Sequence, residues 1–137
     1  MVEKIHKTED EWRRELTPEQ YNVMRQQGTE PPFCNAYWDE HGKGIFYCAA
    51  CGLPLFKSGE KFDSGTGWPS FFEPVDPSHV ETRTDTSHGR VRTEVICARC
   101  ESHLGHVFND GPPPTGLRYC MNSVALRFEP EEESSST

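Results

Sequence analysis

This 137-residue chain predicts a mostly antiparallel β fold with a helical arm at its N-terminus. Three observations carry that expectation. Helix signals are confined to the first thirty residues, and Pro31-Pro32 ends them. Short apolar runs then alternate with glycine- and proline-rich turns, which is the pattern of strands. Two Cys-x-x-Cys pairs, Cys48/Cys51 and Cys97/Cys100, punctuate the strand-rich part. Together they can close a tetrahedral shell around one zinc ion. The stretch between the pairs is longer than a compact zinc ribbon allows, so folded chain must be inserted there.

The arm begins with Thr8-Glu9-Asp10-Glu11, a capping box that starts a helix carrying Trp12 and Leu16 inward. Thr17-Pro18-Glu19-Gln20 starts a second, with Pro18 where its missing N–H costs nothing. Tyr21 and Met24 are expected to pack, and Gly28 to supply a left-handed stop. Ile45-Phe46-Tyr47 leads into the first cysteine pair, and Leu53-Pro54-Leu55-Phe56 leaves it. Thr82 to Ile96 predicts a hairpin turning near Ser87-His88-Gly89, which delivers the chain to the second pair. Leu104 to Phe108 is a short strand. Arg118 to Phe128 is the longest strand candidate. Its alternation places Cys120, Asn122, Val124, Leu126 and Phe128 on one face.

Fourteen basic against 22 acidic residues give a net charge of −8, which argues against a nucleic-acid partner. Part of the excess lies in Glu129-Pro130-Glu131-Glu132-Glu133 and the serines after it, read as a disordered acidic tail over 129–137. The expected layout is one domain, with a helical arm over 1–30 and a zinc-stapled β core over 31–128. No apolar run approaches membrane-spanning length, and the N-terminus lacks a secretory signal, so no membrane partner and a cytoplasmic location are expected. In a reducing compartment cysteines serve more often as metal ligands or catalysts than as structural disulfides. Two disulfides or two redox Cys-x-x-Cys sites are the alternatives, but no thioredoxin-like βαβ pattern frames either pair.

Cys34 and Cys120 remain outside the metal shell. Cys120 is the candidate nucleophile: it follows a Gly/Pro-rich loop, and the Arg118 guanidinium two residues earlier favours a thiolate. A small buried hydrophobe is the plainer reading. His103 and His106, just past the second pair, suit acid–base work once four cysteines fill the metal shell, or they are structural imidazoles. His6, His41, His79 and His88 are expected at the surface. Gly65 to Phe72 presents Trp68 from a turn, as a recognition surface or as core.

Taken together these residues resemble the methionine-R-sulfoxide reductases, the MsrB family, from about Thr17 to Phe128. The carriers are Gly67-Trp68-Pro69-Ser70-Phe71, the two cysteine pairs, and His103-Leu104-Gly105-His106-Val107-Phe108 with Asp110-Gly111-Pro112. Gly116-Leu117-Arg118-Tyr119-Cys120 with Asn122-Ser123 completes the set. The resemblance implies two antiparallel sheets with short N-terminal helices, and a zinc at the end away from the active cysteine. It implies reduction of the R epimer of methionine sulfoxide. Cys120 matches the catalytic cysteine and Trp68 the indole that receives the substrate methyl. His103 and Asn122 match residues holding the sulfoxide oxygen or a water beside it, with His106, Asp110 and Arg118 supporting them. A sulfenic acid on Cys120 would condense with a second thiol, and thioredoxin would reduce the disulfide.

One departure matters. Many relatives place a cysteine between the two glycines ahead of the tryptophan to resolve the sulfenic acid, and here that position is Thr66. With four cysteines on zinc, Cys34 is the remaining candidate resolver, or a bystander thiol. A monomer is the working expectation. Two other classes compete. A zinc-stapled binding module leaves Cys120, His103 and Trp68 unexplained together, and turnover of methionine sulfoxide with dithiothreitol separates it. A zinc hydrolase or deaminase needs an open coordination site, and counting zinc-bound sulfurs separates that.

Overall fold

The computed structural model describes residues 3–26, 28–30, 37, 42–86, 89 and 91–130. The arm holds two short helices, α1 (Glu9–Glu15) and α2 (Pro18–Arg25). Both open on complete capping boxes. The Thr8 hydroxyl accepts the Glu11 N–H while the Glu11 carboxylate takes the Thr8 N–H, and Thr17 with Gln20 repeats the exchange. Trp12, Leu16, Tyr21 and Met24 are buried as expected, and Val23 joins them. Gly28 differs from expectation. The second helix ends at Arg25, and Gly28 does not take the left-handed conformation. A Cβ there would lie 2.5 Å from the side-chain nitrogen of Asn22, whose exposed amide can turn away.

Among the described residues nine strands form two antiparallel sheets. The smaller has the order β2-β1-β9, from Pro54–Lys57, Gly44–Cys48 and Leu126–Pro130. The larger has the order β3-β4-β8-β7-β6-β5. Its strands are β3 (Lys61–Phe62), β4 (Ser70–Phe71), β5 (Val80–Asp85), β6 (Arg92–Cys97), β7 (His103–Phe108) and β8 (Arg118–Met121). The predicted hairpin is β5 paired with β6 from Val80↔Cys97 to Asp85↔Arg92. Of its turn, Ser87 and His88 lie outside the described residues, as do His41 and the tail from Glu131. No helix among the described residues is long and apolar enough to cross a membrane.

The long strand predicted over Arg118–Phe128 is two strands in different sheets. A 3-10 turn at Ser123–Ala125, closed by Ala125 N–H donating to the Asn122 carbonyl at 3.0 Å, carries the chain across. The turn also shifts the phase: Tyr119 and Met121 face the core before it and Leu126 and Phe128 after it, so Cys120 does not share the face predicted for it with Leu126 and Phe128. β3 and β4 also lay below the length at which alternation is visible. His79 is half-buried at the surface, with its Nδ1 2.7 Å from the Pro54 carbonyl.

The core fills the space between the sheets. Phe56 stacks on Phe71 at 4.4 Å, and Phe46 meets Phe71 at 5.1 Å and Phe128 at 4.7 Å. Tyr119 reaches Phe56 at 5.7 Å, and Met121 is fully buried. Tyr119 and Met121 therefore face the core, and Arg118 and Cys120, one residue out of phase, face the other side.

β7 and β8 approach closely at Gly105. A Cβ there would meet the Cys120 carbonyl oxygen at 2.1 Å and the Met121 Cα at 2.8 Å, and backbone cannot yield as a side chain can. Gly105→Ala is therefore expected to cost about 3 kcal/mol of stability, checked by urea denaturation.

Candidate active site

One row of directly opposed residues crosses the whole six-stranded sheet. Phe62 faces Ser70, Ser70 faces Cys120, Cys120 faces His106, His106 faces Glu94, and Glu94 faces Arg83. Directly opposed residues point to the same face with Cβ atoms about 5 Å apart. Pairing register alone thus brings a hydroxyl, a thiol, an imidazole, a carboxylate and a guanidinium into line. Above Cys120 lies a cleft of 310 Å³ lined by Trp68, His106, Phe108, Arg118, Asn122 and Thr66, among others.

Burial pushes the Cys120 thiol up, and hydrogen bonding from Thr66, the Arg118 charge and hydrogen bonding from Ser70 oppose it. The expectation that Arg118 favours the thiolate is met in sign but outweighed by desolvation. Arg118 is also shared: it donates to both Asp110 carboxylate oxygens, at 2.9 and 3.2 Å, and lies 4.4 Å over the Phe108 ring. That bidentate bond holds the exposed Asp110 carboxyl below its usual range. Asp110 itself is not in the cleft lining.

The two histidines take different places. His106 lines the cleft, and its Nε2 donates to Asp85 at 2.8 Å. His103 is not among the lining residues. It is buried, with Nδ1 2.6 Å from Glu94 and its ring edge-on to His106 at 5.3 Å. Its Nε2 has no hydrogen-bond partner among the described residues. Burial pushes the His103 imidazole down despite the Glu94 carboxylate, so it is held neutral, with its proton on Nδ1. Asn122 lines the cleft while its side chain ties two elements: Oδ1 accepts the Glu30 N–H at 3.0 Å and Nδ2 donates to the Leu104 carbonyl at 3.1 Å. The Trp68 indole N–H donates to the Glu30 carbonyl at 2.9 Å. Cys34 lies outside the described residues.

Five residues were missed in the sequence. Glu94 and Asp85 hold the two imidazoles, and Arg83 and Arg92 brace those carboxylates at 3.0 and 3.4 Å. A buried glutamate in a hairpin looks like an exposed one until its cross-strand partner is known. Glu30 was missed as well. Its carboxylate accepts the Val124 N–H at 2.9 Å, and burial pushes its carboxyl up against the backbone N–H bonds that pull it down.

The two cysteine pairs fold alike. The Cys48 N–H donates to the Leu53 carbonyl and the Cys97 N–H to the Ser102 carbonyl. The Gly52 and Glu101 N–H groups return to the Cys48 and Cys97 carbonyls. Gly52 and Glu101, both at positive φ, end the two turns. All four sulfurs lie within 4.8 Å of one another, with Cys48–Cys100 at 3.7 Å and Cys51–Cys97 at 3.5 Å. A tetrahedral thiolate shell with metal–sulfur bonds of about 2.3 Å has edges of about 3.8 Å. The group therefore fits one metal ion held by four sulfurs, and none of the four is in a disulfide.

The SelR domain family matches residues 16–130 of this chain. A peptide methionine sulfoxide reductase MsrB of Thiobacillus denitrificans is 63% identical over 126 residues, 92% of this chain and 96% of that protein. The protein of the same name in Agrobacterium fabrum is 58% identical over 127 residues, 93% of this chain and 94% of that one. The one in Pseudomonas putida is 58% identical over 131 residues, 96% and 100%.

The four-sulfur geometry makes a direct prediction. Binding to such a shell contributes on the order of 10 kcal/mol, comparable to a small domain's whole stability. Cys48→Ser or Cys100→Ser is expected to lose metal and fold together. Metal analysis beside thermal denaturation checks it, and a stable, metal-free, active variant would refute it.

Proposed function

The chain belongs to the MsrB family of peptide methionine sulfoxide reductases, and on that premise we propose that Cys120 reduces methionine-R-sulfoxide in oxidised proteins. The observation that supports this most is the register that sets Cys120 directly opposite His106, in a cleft with Trp68. A sulfoxide sulfur becomes electrophilic when its oxygen is protonated or strongly hydrogen-bonded. A thiolate and a proton donor on one face are what the step requires.

In this reading the Cys120 sulfur attacks the sulfoxide sulfur while the oxygen takes a proton. His106 is the donor within the cleft, and Asp85 at its Nε2 steadies the ring. The oxygen ends on Cys120 as a sulfenic acid and methionine leaves, so cysteine is oxidised by two electrons and the substrate reduced by two. Asn122 and Arg118 face the oxygen side, Asp110 orients Arg118, and His103, held on Glu94, supports His106 and a water beside it. Trp68 receives the methyl group.

Cys34 then attacks the sulfenic sulfur, a disulfide forms and water leaves. Glu30 is fixed at the cleft through Asn122 and Trp68, and Cys34 is four residues further on. Four residues of extended chain reach at most about 14 Å, and a disulfide needs Cα atoms within about 7 Å. Thioredoxin is the proposed reductant, by thiol–disulfide exchange. Cys48, Cys51, Cys97 and Cys100 would hold zinc. A closed four-sulfur shell supplies a cross-link and no catalysis. The role is repair of oxidised protein by a cytoplasmic monomer.

Single-turnover experiments without reductant test the scheme. Cys120→Ser is expected to make no methionine. Cys34→Ser is expected to make one methionine per enzyme, accumulate sulfenic acid and lose thioredoxin-supported turnover. Full turnover in Cys34→Ser would show that oxidised Cys120 is reduced by another route.

Trp68→Ala tests methyl recognition. Losing one apolar contact is worth about 1–3 kcal/mol, so kcat/KM should fall about tenfold or more. Metal content should not change, and its loss would point to a folding role.

A further inference from the structure

The scheme leaves one question at the reacting atom. Burial disfavours a charged Cys120, the Arg118 charge that opposes this is shared with Asp110, and the imidazole opposite is bonded to Asp85. Further donors beside the sulfur would add to what Arg118 supplies.

The turn between β3 and β4 supplies them. Ser64 Oγ lies 2.8 Å from Thr66 Oγ1 and 2.7 Å from Ser70 Oγ, so one hydroxyl bridges two others. Both bridged hydroxyls address Cys120. Thr66 Oγ1 lies 4.0 Å from its sulfur, and Ser70 is the residue directly opposite in the sheet. Three linked hydroxyls and the opposed thiol thus outline a ring. Backbone N–H groups fill its outer acceptor sites: Trp68 N–H toward Thr66 Oγ1 and Thr66 N–H toward Ser64 Oγ, both at 3.4 Å.

Counting protons shows what the ring can do. With the thiol neutral, its hydrogen points to Thr66, Thr66 donates to Ser64, Ser64 to Ser70, and Ser70 to the Trp68 carbonyl at 3.2 Å. When the thiol proton leaves for solvent, Thr66 and Ser70 rotate and both donate to sulfur, while Ser64 donates to one of them. Two donors meet the anion and no hydroxyl proton is stranded. The threonine at the site where many relatives carry a resolving cysteine thus has work of its own.

We propose that Thr66, Ser64 and Ser70 form a hydroxyl ring that stabilises the Cys120 thiolate, with Thr66 as its principal donor. The proposal rests on Cys120 being the nucleophile. The charged and titratable groups facing this sulfur from the packed elements are Arg118 on β8, His106 on β7 with its partner Asp85 on β5, and Arg92 on β6. Asp110 acts through Arg118. The turn bearing the ring also carries Asp63, which is exposed and accepts the Gly65 N–H at 3.0 Å.

The test is the pH dependence of Cys120 alkylation by iodoacetamide in the full, metal-loaded chain, read by mass mapping of the Cys120 peptide. One hydrogen bond to a charged group corresponds to a shift of about one pH unit or more. Thr66→Val, which keeps the volume, is expected to raise the alkylation midpoint by about that much and to slow single-turnover methionine formation at pH 7 about tenfold. Thr66→Ser should restore both. Ser64→Ala, which removes no direct contact with sulfur, should shift the midpoint the same way by less. Should Thr66→Val fail to fold, Ser70→Ala carries the same expectation of a raised midpoint. An unmoved midpoint in a folded Thr66→Val chain, or an equal shift in Thr66→Ser, overturns the proposal. Failure of the nucleophile reading looks different: Cys120→Ser would still make methionine, whatever the thiol titration shows.

Discussion

Four cysteine sulfurs within 4.8 Å of one another form the joint on which the other parts hang. One pair ends β1 in the smaller sheet and the other ends β6 in the larger, so the cluster spans the two layers. The arm is fastened to the same place. Arg25 donates to the Cys100 carbonyl at 2.9 Å, Ile5 N–H to the Arg99 carbonyl at 2.7 Å, and Lys4 to the Ala98 carbonyl at 2.7 Å. Arg99 crosses to the Cys51 carbonyl at 2.6 Å and ties one turn to the other. Glu94 stands three residues before Cys97, so the strand that carries the buried carboxylate ends in the joint.

From there the site follows by register. A one-residue slip between β7 and β8 would turn His106 or Cys120 to the wrong face. Gly105, pressed on the Cys120 and Met121 backbone, admits no looser pairing. The arm then encloses what the sheet presents. Glu30 reaches three partners at once: its N–H to Asn122, its carbonyl to Trp68 and its carboxylate to the Val124 N–H. A residue far from the cleft in sequence therefore positions both the indole and the amide that line it.

What could be read from the chain divides along physical lines. Local signals were legible: the capping boxes at Thr8 and Thr17, the inward Trp12 and Met24, the hairpin, and the metal set Cys48, Cys51, Cys97 and Cys100. Each is written in residues a few positions apart. Cys120, Trp68, His106 and Asn122 were found by motif, and the cleft gathers all four. The carboxylates were not found, because Glu94 and Asp85 acquire meaning only across strands. Nor was the break at Asn122, where the chain changes sheets and the core-facing residues shift from Tyr119 and Met121 to Leu126 and Phe128. Gly28 was expected as a left-handed stop, and the chain does not take that conformation there.

The order of strands around Cys120 has a geometric consequence. A sulfoxide sulfur bears an oxygen, a methyl, a methylene and a lone pair, so it is a stereocentre. In the proposed scheme the cysteine approaches it from the sheet. On one side of β8 stand β4 and the turn bearing Trp68, and on the other stands β7 with His106. A cleft with an indole to one side, an imidazole to the other and a thiol beneath has no mirror plane. Placing the oxygen toward the imidazole and the methyl toward the indole leaves one direction for the rest of the peptide. In the opposite epimer that direction points into the sheet. Handedness of recognition is thus a property of topology, and reversing it would require β4 and β7 to exchange sides.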